Sequence, residues 1–184
     1  MEKPIKIKQH VPNALSFFRL LLSPVFFALL QNKSQNEILL VIILIIGITD
    51  FLDGYLARKF KVSSKFGEIL DPLADKIFLN TACWGVYLYK CHTAQMLALS
   101  CILTVRDIIL VLGGLFSMVN GFNKKLSPIF LSKFCTTFMF ILFIISITSP
   151  SSIIQLILSN IAIVLIIITS YFYIKRFIKP QENS

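Results

Sequence analysis

Asp50-Phe51-Leu52-Asp53-Gly54-Tyr55-Leu56-Ala57-Arg58 closes one apolar run. After eight residues, Gly67-Glu68-Ile69-Leu70-Asp71-Pro72-Leu73-Ala74-Asp75 opens the next. This stretch decides the fold because it sets four aspartates inside sequence that is otherwise apolar enough for a membrane. Carboxylates beside lipid-facing helices are costly unless something neutralises them. Their spacing indicates what does. Asp50 and Asp53 stand at i, i+3, and Asp71 and Asp75 at i, i+4. Each pair therefore leaves one face of a helix. Two such faces turned together would form a cup of four carboxylates, suited to divalent cations that prefer oxygen.

Composition agrees with the membrane reading. Of 184 residues only 15% are charged, 56% are hydrophobic, and the mean hydropathy is +0.80. A soluble domain of this size carries far more surface charge. The expected fold is all-α, a polytopic membrane protein with six transmembrane helices in one bundle. The whole chain, 1–184, reads as a single domain, with a basic juxtamembrane segment over 1–10 and a polar tail over 176–184. The opening segment alternates charge with Ile, which suits either a short interfacial helix or a frayed basic tail. The four cysteines include no C-x-x-C pair, and they read as small hydrophobic residues rather than ligands.

Six apolar segments follow one another: about Pro12 to Leu30, Ile38 to Ala57, Leu70 to Tyr89, Ala94 to Val119, Pro128 to Thr148 and Ile153 to Tyr173. Each is close to the ~20 residues that a helix needs to cross the hydrocarbon. The net charge of +9 would suit a nucleic-acid binder, but its placement argues against one. Lys3, Lys6 and Lys8 precede the first segment. Arg58, Lys59, Lys61 and Lys65 lie between the second and third, Lys124 and Lys125 between the fourth and fifth, and Lys175, Arg176 and Lys179 at or beyond the end of the sixth. If every segment spans, all of these fall on one side, against Lys33 and Lys90 on the other. That asymmetry makes both termini cytoplasmic and puts the aspartates at the cytoplasmic face.

Written as D-x2-D-G-x2-A-R-x8-G-x3-D-x3-D, the opening stretch resembles the signature of the CDP-alcohol phosphatidyltransferases, with every fixed position met. The resemblance implies a six-helix enzyme of lipid synthesis in a bacterial inner membrane. Such an enzyme transfers a phosphatidyl or related group from a CDP-linked donor to an alcohol and releases CMP. The chemistry of the residues agrees. A diphosphate is densely negative, and paired metal ions hold such phosphates in many transfer sites. Carried over by position, Asp50, Asp53 and Asp71 would be ligands of two Mg²⁺ or Mn²⁺ ions. Asp75 would be a ligand and the base that takes the acceptor's proton. Asp50, Gly54, Ala57, Arg58 and Gly67 would border the CDP moiety, with small residues admitting the nucleotide close to the helix. Asp71-Pro72 taken alone also reads as a helix start. That accounts for one aspartate, not for four at this spacing.

The resemblance extends beyond the signature. Val11-Pro12-Asn13-Ala14-Leu15 with Arg19 is similar to the family's N-terminal Pro-Asn-Leu-Thr segment. There Asn13 would reach the nucleotide or a metal ligand, or serve as a cap. Arg106 and Lys133 lie inside the fourth and fifth runs. With Arg58 they would hold the acceptor's phosphate. Alternatively, Arg106 pairs with Asp107 and Lys133 snorkels to the interface. The layout is most similar to the subgroup that uses CDP-diacylglycerol and glycerol 3-phosphate to make phosphatidylglycerophosphate. That subgroup often has Arg-Glu where this chain has Arg106-Asp107. Arg-Asp before an aliphatic run also resembles the CMP-forming cardiolipin synthases, which leaves the acceptor open. The family often forms homodimers, and its other partner is the bilayer. A cation or proton transporter with an Asp-lined site is the reading from another class. Such transporters usually carry their carboxylates near the midplane and show internal repeats.

Overall fold

A computed structural model describes residues 3–32, 35–60, 65–119 and 130–178, with side chains described over 16–32, 35–49, 73–113 and 131–175. These residues form helices α1 (Lys3–Leu30), α2 (Asn36–Phe60), α3 (Lys65–Tyr89), α4 (Ala94–Val119), α5 (Phe130–Thr148) and α6 (Ile153–Ile178), and no strand. Short polar connectors separate them, and connector side chains cap two of the helix starts. The Thr93 hydroxyl accepts from the Met96 N–H at 3.3 Å, and the Ser152 hydroxyl from the Gln155 N–H at 3.1 Å. Each thereby satisfies a donor that the helix start leaves open. At the end of α3 the Val86 carbonyl accepts from both Lys90 N and Cys91 N, which closes that helix.

Two helices differ from the sequence expectation. The N-terminal one begins at Lys3, so Pro12 lies inside it. The third begins at Lys65, which puts Asp71-Pro72 within α3 rather than at its start. Hydropathy marks where a chain meets lipid, while a helix continues through charged residues beyond that boundary.

Helices α4, α5 and α6 are long and apolar enough to cross a membrane: Ala94–Gly113, Leu131–Thr148 and Ile153–Lys175. The described apolar stretches of α1 and α2, Ser16–Leu30 and Asn36–Thr49, are shorter. Large hydrophobic side chains cover the outside, among them Val41, Leu112, Ile154 and Val164. Such a surface belongs in hydrocarbon. All four cysteines are free, and Cys83, Cys91 and Cys135 are buried among apolar neighbours.

Packing centres on α1 and α3, with α2 beside α1, α4 beside α3 and α6, and α5 against α2, α3 and α6. Ser16, Arg19, Ser23, Phe26 and Leu30 form one buried stripe on α1 at three- and four-residue steps. It meets Ala74, Phe78, Ala82 and Val86 of α3, stepped by four. Small residues let the two backbones approach. A methyl added at Gly85 would stand 2.5 Å from Leu30 Cδ1 and 3.0 Å from Phe27 Cδ2. At the other end, Lys90 Nζ donates to Asn36 Oδ1 at 2.7 Å and Asn36 Nδ2 to the Ile147 carbonyl at 3.3 Å. That brace ties together α2, the loop after α3, and α5.

Candidate active site

The α1–α3 contact brings a cation to the last signature aspartate. Arg19 Nη1 is paired with Asp75 Oδ1. The arginine side chain is sealed in the interface at 3% exposure, whereas Asp75 keeps 36%. The ion pair engages Oδ1 of a carboxylate that is still partly exposed. In the sequence, Arg19 enters only through a resemblance and has no assigned partner. A charge in an apolar helix was the signal, and the pairing itself is tertiary.

A second polar stripe runs along another face of α3. Lys76, Asn80 and Trp84 are stepped by four, and they oppose Thr104 and Asp107 on α4. Hydrogen bonds join the stripes. Trp84 Nε1 donates to Thr104 Oγ1 at 2.9 Å, Thr104 Oγ1 to Asn80 Oδ1 at 2.8 Å, and Asn80 Nδ2 to Asp107 Oδ2 at 2.7 Å. The other Asp107 oxygen, Oδ1, accepts from Arg106 Nε at 3.0 Å and Nη2 at 2.8 Å. Lys76 lies within electrostatic reach of Asp107 and Arg106, and the Cys135 thiol of α5 lies beside Arg106. Arg106 is therefore a nearly buried cation at the junction of α3, α4 and α5. The α3–α4 stripe also borders an open groove of about 900 Å³, walled by apolar residues of α1, α3 and α4.

Of the residues picked out in the sequence, Asp75, Arg106 and Lys133 have described side chains. Lys133 is exposed on α5. Cys135, two residues on, is the α5 residue beside Arg106. Residues two apart do not share a helix face, so the described contacts do not bring Lys133 to Arg106. The side chains of Asn13, Asp50, Asp53, Gly54, Ala57, Arg58, Gly67 and Asp71 lie outside the described residues. Their backbones are helical: Asn13 in α1, Asp50 to Arg58 in α2, Gly67 and Asp71 in α3. Continuous helix across 50–53 and 71–75 is what the i, i+3 and i, i+4 spacings require for each pair to share a face. The donor set is oxygen only, and the described Asp75 side chain is 36% exposed. These residues fit a hard divalent cation.

Comparison with known proteins bears on the same residues. The sequence model of the CDP-alcohol phosphatidyltransferases matches residues 9–171, a range that includes every candidate site residue from Asn13 to Lys133. A CDP-diacylglycerol–glycerol-3-phosphate 3-phosphatidyltransferase of Aquifex aeolicus is 38% identical over 132 residues, 71% of this chain and 71% of that protein. One of the same name from Haemophilus influenzae is 38% identical over 106 residues, 56% of this chain and 57% of its own length. A cardiolipin synthase (CMP-forming) / mitochondrial hydrolase fusion protein of Schizosaccharomyces pombe is 38% identical over 103 residues, 55% of this chain but 16% of that protein.

Proposed function

The chain belongs to the CDP-alcohol phosphatidyltransferase family, and we propose that it transfers the phosphatidyl group of CDP-diacylglycerol to glycerol 3-phosphate. The products are phosphatidylglycerophosphate and CMP. The observation that carries the acceptor assignment is Arg106. It is a guanidinium held inside the bundle by Asp107, with the outer end of its fork directed away from that carboxylate. A planar fork of this kind matches a phosphate. The similarity to two bacterial proteins of that name supports the choice of acceptor.

In this reading Asp75 is the general base. Its carboxylate, paired through Oδ1 with Arg19, takes the proton of the acceptor's hydroxyl. The hydroxyl oxygen forms a bond to the phosphatidyl phosphorus, and the bond from that phosphorus to the CMP oxygen breaks. Arg106 holds the acceptor's phosphate, with Arg58 as a further cation and the exposed Lys133 of α5 at most a distant one. Asp50, Asp53, Asp71 and Asp75 would hold the two divalent cations, which when bound offset the charge of the diphosphate and of the leaving CMP. Gly54, Ala57 and Gly67 leave room for the nucleotide, with Asn13 at its edge. The apolar groove between α1, α3 and α4 offers the donor's acyl chains a surface continuous with the bilayer.

All six helices span in this reading, as one domain and with the aspartates cytoplasmic, since the positive charges collect on that side. A reporter fused after Ser184 is then active on the cytoplasmic side, and activity on the far side contradicts the topology. The likeness to a cardiolipin synthase keeps phosphatidylglycerol as the alternative acceptor. A homodimer is consistent with the family but is not needed for the chemistry.

CMP release by the purified protein tests the reading against a transporter. We expect release only when donor and acceptor are both present. EDTA should abolish it, and Mg²⁺ or Mn²⁺ should restore it. Full turnover in a chelated assay contradicts the role given to the four aspartates.

A further inference from the structure

We infer that Asn80, anchored by Thr104 and Trp84, is a positioning residue that sets Arg106 for the acceptor's phosphate by holding Asp107. The inference rests on the reading of Arg106 as the acceptor-phosphate residue.

Arg106 and Asp107 are consecutive, and neighbours at i, i+1 point about 100° apart around an α-helix. They do not meet by default. Here two guanidinium nitrogens reach the same carboxylate oxygen, at 3.0 and 2.8 Å. The pair therefore needs an outside group to fix where the carboxylate sits, and Asn80 of α3 is that group. Its Nδ2 donates to Asp107 Oδ2 at 2.7 Å. Asp107 thus divides its two oxygens between two helices, Oδ2 to α3 and Oδ1 to Arg106.

The orientation of Asn80 is determined by its surroundings. The amide nitrogen faces two acceptors, Asp107 Oδ2 and the Lys76 carbonyl, the latter at 3.1 Å. A flipped amide would turn its oxygen toward both of them and leave Asp107 Oδ2 without this donor. The amide oxygen then needs a donor of its own, and the Thr104 hydroxyl stands 2.8 Å away. Trp84, a donor only, points its N–H into that hydroxyl at 2.9 Å. The Thr104 hydroxyl has one proton and faces two acceptors, Asn80 Oδ1 at 2.8 Å and the Ser100 carbonyl at 2.7 Å. With the proton on Asn80, the bonds from Trp84 through Thr104 and Asn80 all donate toward the Asp107 carboxylate. Bonds aligned in one direction in a low-dielectric interior polarise one another.

The consequence falls on Arg106. Its Nε and Nη2 are engaged by Asp107 and the Cys135 thiol lies beside the guanidinium, so a second anion meets the donors that these two leave at the Nη1–Nη2 end. The direction of that end is set by where Asp107 is pinned. Without the Asn80 amide, nothing in the chain Trp84–Thr104–Asn80 holds Oδ2, and the fork loses its fixed bearing while keeping its charge. Asn80 acts on the acceptor's phosphate through Arg106.

The test uses the full chain purified in detergent micelles, with saturating CDP-diacylglycerol and varied glycerol 3-phosphate. Asn80→Ala is expected to raise the acceptor KM on the order of tenfold, the scale of a lost hydrogen bond to a charged group, with kcat and the donor KM nearly unchanged. Thr104→Val moves the same constant in the same direction by less, and Thr104→Ser, which keeps the hydroxyl, restores it. In a double-mutant cycle, Asn80→Ala adds nothing further to the acceptor KM of an Arg106→Ala enzyme. A full additional effect in that background overturns the inference, as does an Asn80→Ala enzyme with reduced kcat and unchanged acceptor KM. If Asn80→Ala does not accumulate as folded protein, Thr104→Val in the same cycle decides. An Arg106→Ala enzyme with an unchanged acceptor KM instead removes Arg106 from the site, and the positioning role falls with it. An Arg106 effect without an Asn80 or Thr104 effect removes only the positioning role.

Discussion

Asp75→Asn is expected to lower turnover by ~10²–10⁴-fold, the usual cost of losing a general base. Donor binding should survive in part, because asparagine keeps the shape of the side chain and leaves Asp50, Asp53 and Asp71 in place. The structure adds a complication that the sequence did not show. Asp75 is the partner of Arg19, whose side chain is buried at 3% exposure. Taking a carboxylate partner from a buried guanidinium lowers stability. Lost activity could then reflect lost folding. Arg19→Gln in the same chain separates the two. The Asp75→Asn/Arg19→Gln enzyme should recover thermal stability relative to Asp75→Asn, since the α1–α3 interface then no longer buries a guanidinium that has lost its Asp75 carboxylate. Its turnover should stay at the level of Asp75→Asn. Recovery of turnover in the double variant, or near-normal turnover in Asp75→Asn, would remove Asp75 from the mechanism.

The second large effect is expected at Arg106. Arg106→Ala should raise the KM for glycerol 3-phosphate by roughly a hundredfold, as expected for a lost charge-assisted bidentate contact of ~1.5–3 kcal/mol. The KM for CDP-diacylglycerol should hardly change. Asp107, only 5% exposed, would lose its guanidinium partner, so some loss of stability accompanies the substitution. Arg106→Lys removes that ambiguity. It keeps a positive charge near Asp107 but cannot hold carboxylate and phosphate with one planar fork. Its acceptor KM should lie between wild type and alanine, with stability close to wild type. Lys133→Ala should have a milder effect, because that side chain is exposed on α5 rather than fixed in the cluster. Equal acceptor KM values in wild type, Arg106→Lys and Arg106→Ala contradict the assignment.

The helices were legible where sequence and bilayer impose the same boundary. Polar connectors at Ser149-Pro150-Ser151-Ser152 and Lys90 to Thr93 end and start helices, and α4 runs over Ala94–Val119 as its apolar run does. The starts of α1 and α3 were not legible from hydropathy. Lys3, Lys6, Lys8 and Lys65 are charged residues that a helix accommodates but hydrocarbon does not. In the site, periodicity within one helix could be read directly: i, i+3 in α2 and i, i+4 in α3. Contacts between helices could not. Nothing in the spacing links Arg19 to Asp75, because their meeting depends on how α1 and α3 pack. Arg106 had two open readings, pairing with Asp107 or holding a phosphate. The structure supplies the pairing and leaves one end of the fork beyond it. Asn80, Thr104 and Trp84 did carry a signal, polar residues at four-residue steps inside apolar runs. It gains meaning only once α3 and α4 are set side by side.

The central claim is the identity of the acceptor. The measurement that tests it most directly offers the purified protein CDP-diacylglycerol with glycerol 3-phosphate in one reaction and phosphatidylglycerol in another. Mg²⁺ is present in both, and the lipid products are identified by mass. The account predicts phosphatidylglycerophosphate, formed in step with CMP, in the first reaction and no cardiolipin in the second. Cardiolipin from phosphatidylglycerol, with no product from glycerol 3-phosphate, would contradict it.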